Sequence, residues 1–141
     1  MARSFAVLLT VGGGVASLDL VHKAIAVSEP DGAVFAHARA GRDVLVVGVV
    51  SVAWVAAILL TRSPSIAAAG GVLAGGAAGN VLSLALWPSV RGVPNPLLAG
   101  GVAFNVADLA VAAGLLLLLA STAAFAVRNR ERLRDPVRLR A

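Results

Sequence analysis

The sequence predicts an all-α membrane protein that folds as a bundle of four transmembrane helices. Of its 141 residues, 59% are hydrophobic and only 13% are charged, whereas charged residues make up roughly 25% of an ordinary soluble domain. The mean hydropathy is +0.91. A soluble core of this length cannot hide so much apolar side chain, and a disordered chain does not carry so much of it. The composition therefore excludes both of those classes.

Four apolar stretches are each near the roughly 20 residues that span a bilayer. They cover about 5–27, 44–60, 66–87 and 97–127. The first stretch differs from a cleaved signal peptide, because Asp19 and Lys23 interrupt its apolar run. We therefore expect one four-helix domain over residues 1–141, with a basic cytoplasmic tail at 128–141.

The distribution of arginine predicts the orientation of this bundle. Eight arginines fall on one side of it: Arg3, Arg62, Arg128, Arg130, Arg132, Arg134, Arg138 and Arg140. Three fall on the other side: Arg39, Arg42 and Arg91. Because Lys and Arg are in excess on the cytoplasmic side, both termini are expected in the cytoplasm. We therefore expect a multi-pass protein of the inner (cytoplasmic) membrane, whose partner is the lipid bilayer and which does not bind nucleic acid.

Two further features of the composition bear on chemistry and packing. The chain has no cysteine, which excludes disulfides, thiolate catalysis and cysteine-based metal sites. We expect no cofactor and no metal site. Glycines recur at a spacing of four at Gly71, Gly75 and Gly79, a stripe of small residues that lets a second helix approach closely.

Seven polar side chains lie inside the predicted helices, where lipid should not tolerate them: Asp19, His22, Lys23, Asn80, Ser83, Asn105 and Asp108. A charged group near mid-membrane costs at least ~2.5–3.5 kcal/mol, so each needs a partner or a function. At 1.5 Å per residue from the predicted helix ends, Asp19 and Asn105 are ~12 Å deep, Asn80 ~10 Å and Asp108 ~16 Å. Three helices therefore bring polar groups to a similar depth near the outward face.

The spacing of these residues groups them in pairs that share a helix face: Asp19 and Lys23, Asn80 and Ser83, and Asn105 and Asp108. Interhelical hydrogen bonds that only fix packing, at ~0.6 kcal/mol each, explain the asparagines equally well. Asp108 has no basic residue nearby in the sequence, which favours a functional site. Lys23 and Arg91 are its candidate partners in space.

Three segments, in order along the chain, resemble motifs of one known family. Asp19-Leu-Val-His-Lys23 is similar to its DxxxK, Gly75-Gly-Ala-Ala-Gly-Asn-Val-Leu-Ser83 to its GGxxGNxxDR, and Phe104-Asn-Val-Ala-Asp108 to its FNxAD. The family is that of the lipoprotein signal peptidases (signal peptidase II), which are four-helix membrane aspartic proteases. The resemblance implies cleavage of a diacylglyceryl-modified prolipoprotein just before its lipidated cysteine, with Asp108 as one of two catalytic aspartates.

The sequence departs from the family at the other catalytic aspartate, where it has Ser83, followed by Leu84 in place of arginine. Two carboxylates that share one proton divide the work, because one acts as base on a water while the other protonates the carbonyl side. No acid lies between Asp43 and Asp108, and Asp43 is typical of a helix N-cap. We therefore predict that catalysis by an aspartate dyad is absent or impaired.

The outward segments also differ from the family pattern. The segment after the first helix is shorter than the family's β-like cradle, and Asp31-Gly-Ala-Val-Phe35 is only a faint echo of its NxGAAF-type motif. Pro94-Asn-Pro96 replaces a polar segment between the third and fourth helices.

Three functions are compatible with these residues. The first is an unorthodox prolipoprotein peptidase that uses Asp108, or a Ser83–Lys23 serine/lysine dyad. The second is a non-catalytic relative that binds a lipoprotein, a lipid or a partner protein. The third is a small proton-coupled transporter with Asp19 and Asp108 as proton sites. Around the catalytic positions Asp108 and Ser83, the candidate substrate-binding or supporting residues are Asp19, Lys23, Asn80 and Asn105.

Overall fold

The structure is a computed structural model that describes residues 2–29, 35–37 and 63–131. In chain order its elements are α1 (Ala2–Ser28), β1 (Phe35–His37), α2 (Pro64–Leu86), a 3₁₀ turn (Pro88–Val90), β2 (Val93–Asn95), β3 (Leu97–Ala99), β4 (Val102–Phe104) and α3 (Val106–Arg128). The predicted helix at 44–60 and the tail beyond 131 lie outside the described residues. The orientation of the termini stays a prediction.

The three described helices make the protein mostly helical, and each is long and apolar enough to cross a membrane. The predicted helix at 5–27 is α1, and the one at 66–87 is α2. Ser63 begins α2 as its N-cap by accepting a hydrogen bond from the Ile66 amide, and Pro64 follows at a position that needs no amide donor. The described residues therefore form a membrane protein built mainly of helices that are able to span the bilayer.

The prediction of an uninterrupted helix over 97–127 is wrong at its beginning, and so is the all-α assignment. Residues 97–104 form the antiparallel hairpin β3–β4, in which Ala99 pairs with Val102. The two residues between these strands are Gly100 and Gly101, with φ angles of 56° and 78°. Positive φ at both positions closes a tight two-residue hairpin turn that glycine adopts without strain. The helix therefore starts only at Val106.

A second small sheet pairs β1 with β2, with Phe35 opposite Asn95 and His37 opposite Val93. The prolines that flank Asn95 favour extended backbone, because proline restricts the residue before it to that region. All three residues of β2 are buried. The strand therefore runs through protein interior at the end of the bundle where α1 and α2 finish and α3 begins, which we call the polar end.

Helix α2 packs between α1 and α3 through glycines on two faces. A Cβ at Gly75 would overlap the carbonyl oxygen of Gly12 in α1. On a second face of α2, a Cβ at Gly76 would lie 2.6 Å from the carbonyl oxygen of Ala107 in α3. From the side of α3, a Cβ at Gly114 would lie 2.5 Å from the amide nitrogen of Leu73 in α2. The packing interpretation of the glycine stripe is confirmed, since the helices touch backbone to backbone.

Candidate functional site

Five polar side chains from α1, α2 and α3 converge at the polar end, and we call them the polar cluster: Asp19, Lys23, Asn80, Asn105 and Asp108. All are buried except Asp108, which is partly exposed. At 1.5 Å per residue, Asp19 lies ~13 Å before the end of α1 and Asn80 ~9 Å before the end of α2. Two helices therefore carry the cluster inside their spans, as the sequence predicts.

An ion pair within α1 is the charged part of the polar cluster. Lys23 Nζ lies 2.7 Å from Asp19 Oδ2, and both side chains are 0% exposed. The predicted pairing at a spacing of four is confirmed. Gly79 of α2 makes room for it, because a Cβ there would lie 2.6 Å from Asp19 Oδ2. The last glycine of the stripe thus accommodates a carboxylate.

The other oxygen of Asp19 caps a different helix. Asp19 Oδ1 accepts a hydrogen bond of 2.8 Å from the backbone amide of Ala107, in the first turn of α3. The first amides of a helix have no partner within it, and the helix dipole favours negative charge beside them. Asp19 therefore joins the beginning of α3 to α1, a role that the spacing within α1 does not indicate.

Asn105 and Asp108 form a capping box at the same helix terminus. The Asn105 side chain accepts from the Asp108 amide at 2.9 Å, and Asp108 Oδ2 accepts from the Asn105 amide at 3.2 Å. Their spacing of three residues thus has a local structural reason. The predicted depths for these two residues are wrong, because α3 starts at Val106 and they occupy its N-cap and first turn.

Asn80 connects the ion pair of α1 with the carboxylate of α3. Its Oδ1 accepts from Lys23 Nζ at 2.8 Å and from Asn105 Nδ2 at 3.0 Å, while its Nδ2 donates to Asp108 Oδ1 at 2.9 Å. Of the two basic residues expected near Asp108, Lys23 belongs to the cluster through Asn80. The other, Arg91, is exposed after the 3₁₀ turn.

Strand β2 contributes a side chain that the sequence interpretation missed. Asn105 Nδ2 also donates to Asn95 Oδ1 at 2.5 Å and lies 3.3 Å from the carbonyl oxygen of Pro94. Asn95 is buried. The sequence signal for Asn95 is its position between two prolines. The prolines hold this segment extended, which fixes the position of the Asn95 side-chain amide.

Ser83 is fully buried one turn beyond Asn80 in α2. Its hydroxyl donates a hydrogen bond of 2.8 Å to the carbonyl oxygen of Asn80. A serine nucleophile needs to give its proton to a base, whereas this proton is directed to the backbone of its own helix. Lys23 meanwhile is ion-paired with Asp19. This arrangement does not favour the serine/lysine dyad.

Asp19 and Asp108 are the two acids of the polar cluster, whereas Glu29 and Glu131 lie exposed just beyond the last residues of α1 and α3. Asp43, the other candidate acid, lies outside the described residues. Within the described ranges, no three His, Asp or Glu side chains gather in a way that could hold a metal ion. The chemistry that this arrangement offers is a partly exposed carboxylate beside buried amides, which suits a hydrogen-bond donor.

No protein-family model matches this chain, and no curated protein or solved structure matches it either. The resemblance to lipoprotein signal peptidases stays a prediction from the three sequence segments described above. The first segment supplies the ion pair of α1, and the middle segment supplies Asn80. The last segment supplies the capping box of α3.

Proposed function

We propose that this protein is a lipoprotein signal peptidase-like membrane protein that binds prolipoprotein signal peptides at the polar cluster and lacks catalysis by an aspartate dyad. One observation carries the proposal. Asp108 is partly exposed, whereas Asp19, the other carboxylate of the polar cluster, is fully buried against Lys23 and the Ala107 amide.

The contacts of Asp19 argue against its serving as a second catalytic carboxylate. Acting on a water would require it to leave both the ammonium group of Lys23 and the first turn of α3. Breaking a buried ion pair by removing one partner costs about 3–5 kcal/mol. With Ser83 at the family's other catalytic position, helix α2 supplies no carboxylate to share a proton with Asp108.

The same geometry supports binding of an extended peptide. A signal peptide is apolar and approaches from lipid, where its backbone groups find no water to satisfy them. Asp108 is the partly exposed member of the polar cluster, and charge-assisted hydrogen bonds to carboxylate oxygens are stronger than those between neutral groups. Asn80 and the N-cap amide of Asn105 hold this carboxylate in place.

The test uses the purified protein and a lipidated prolipoprotein, and measures both binding and cleavage. We expect the wild type to bind without cleaving. Asp108→Asn should weaken binding roughly 10-fold or more, since a hydrogen bond to a charged group contributes about 1.5–3 kcal/mol. Ser83→Asp should gain cleavage that Asp108→Asn abolishes. Ser89→Asp, an acid added at an exposed position beyond α2, is the matched control and should leave cleavage absent.

Several outcomes would contradict the proposal. Robust wild-type cleavage that Asp108→Asn removes would make the protein a peptidase. Cleavage lost in Ser83→Ala but kept in Asp108→Asn would point to a serine/lysine dyad with Lys23. A wild type that neither binds nor cleaves the substrate would remove the prolipoprotein from the proposal altogether.

A further inference from the structure

The hairpin β3–β4 projects an apolar tip from the polar end of the bundle. Leu98 and Val102 are 58% and 65% exposed, and Gly100 and Gly101 between the strands are exposed as well. Large apolar side chains that are exposed together at the tip of one short hairpin indicate an interaction surface.

The two exposed side chains lie on opposite faces of the hairpin. Ala99 pairs with Val102 and therefore shares its face, while Leu98, the neighbour of Ala99, points to the other face. A flat partner surface would cover only one face. Apolar side chains on both faces favour an apolar medium that surrounds the tip, such as lipid, over a single protein surface.

The hairpin also lies within a stretch that carries no charge. Residues 92–107 contain no Asp, Glu, Lys, Arg or His, and Arg91 and Asp108 border that stretch. Helix α3 continues from the hairpin with Leu109 exposed in its second turn. The apolar surface of the tip is therefore continuous with the surface of a helix that is apolar enough to cross a membrane.

We propose that the β3–β4 tip inserts into the bilayer at the boundary between headgroups and hydrocarbon. The insertion is shallow, because the outer edges of a two-stranded hairpin have unpaired backbone groups that hydrocarbon cannot satisfy. Strand β4 ends at Phe104, directly before the N-cap Asn105. The seated tip thereby sets the depth of Asn105 and Asp108 at the membrane interface.

The absence of cysteine makes a single-label experiment direct. Leu98→Cys and Val102→Cys are each labelled with an environment-sensitive fluorophore in the full chain, reconstituted into phosphatidylcholine–phosphatidylglycerol vesicles. The exposed Ser89→Cys is the control at the same end of the bundle. We expect blue-shifted emission at both hairpin positions, quenching by a lipid nitroxide near the headgroups, and iodide quenching several-fold weaker than at Ser89→Cys.

Three results would overturn the proposal. Iodide quenching at both hairpin positions equal to that at Ser89→Cys would place the tip in water. Protection of only one position would indicate a protein surface on one face. Protection that disappears when the protein-to-lipid ratio is lowered would indicate a second copy of the chain. The measurement uses no substrate, so its result is independent of whether the polar cluster binds a prolipoprotein.

Discussion

Helix α2 is held in two different ways along its length. Around Gly71 and Gly75 it touches α1 backbone to backbone, and the contact depends on the absence of side chains. At the polar end, Asn80 reaches α1 and α3 through side-chain hydrogen bonds. In lipid, apolar burial does not drive helices together, so close packing and polar contacts do that work. Adding a side-chain atom should therefore disrupt the glycine contacts, whereas removing polar atoms should disrupt the contacts at the polar end.

The largest effect is expected at the ion pair. Lys23→Met removes the ammonium group and leaves Asp19 fully buried without it. An uncompensated buried charge costs about 3–5 kcal/mol, and the loss should appear in the free energy of unfolding in mixed micelles. Arg3→Met, which removes an exposed cation from the same helix, is the matched control and should leave the unfolding free energy unchanged.

A second variant separates the charge from the helix cap that Asp19 provides. Adding Asp19→Asn to Lys23→Met should recover most of the loss, because an amide oxygen can still accept from the Ala107 amide. If the double variant is no more stable than Lys23→Met alone, the unpaired charge is not the cause of the loss. The geometry of the cap would then be the larger contribution.

A smaller effect is expected in the glycine region. Gly75→Ala places a Cβ against the carbonyl oxygen of Gly12, which is backbone and cannot turn aside. Overpacking of this kind costs typically about 1–3 kcal/mol. Gly14→Ala is the matched control, because a Cβ there meets nothing within 4 Å, and it should keep or raise stability since alanine favours helix. Equal losses in the two variants would mean that the close approach of Gly75 to Gly12 does not explain the result.

The sequence predicts part of this difference between the glycine contacts and the polar contacts of the helices. The spacing of Asp19 and Lys23 and the glycine stripe are periodic within one helix, and both predictions are confirmed. The hairpin was missed because hydropathy cannot separate an apolar strand from an apolar helix. The local sequence feature that indicates the hairpin turn is Gly100-Gly101.

Other contacts of the polar cluster leave no local pattern at all. The bond from the Ala107 amide to Asp19 joins residues 88 positions apart, so no spacing rule finds it. Asn95 enters through a strand that pairs with β1, which the sequence did not predict. Convergence of Asn80, Asn105 and Asp108 was predicted from depth, yet the last two arrive there as a helix cap.

The smallest effect is expected at Asn80, although it makes three hydrogen bonds in the cluster. Asn80→Ala leaves the ion pair of α1 in place, and polar contacts between membrane helices average about 0.6 kcal/mol each. The expected loss of unfolding free energy is therefore about 1–2 kcal/mol. Leu82→Ala, on an exposed part of α2, is the control for side-chain truncation and should change stability less.

Combining Asn80→Ala with Gly75→Ala then asks whether the two regions act independently. The two positions are five residues apart, or ~7.5 Å along the helix, and their partners in α1 are different residues. Losses at sites this far apart without shared partners add to within about 0.5 kcal/mol. A double variant that loses clearly less than the sum would show that the glycine contact exists mainly to bring Asn80 within reach of Lys23. Additive losses instead mean that close packing holds α1 and α2 together whether or not the polar cluster is intact.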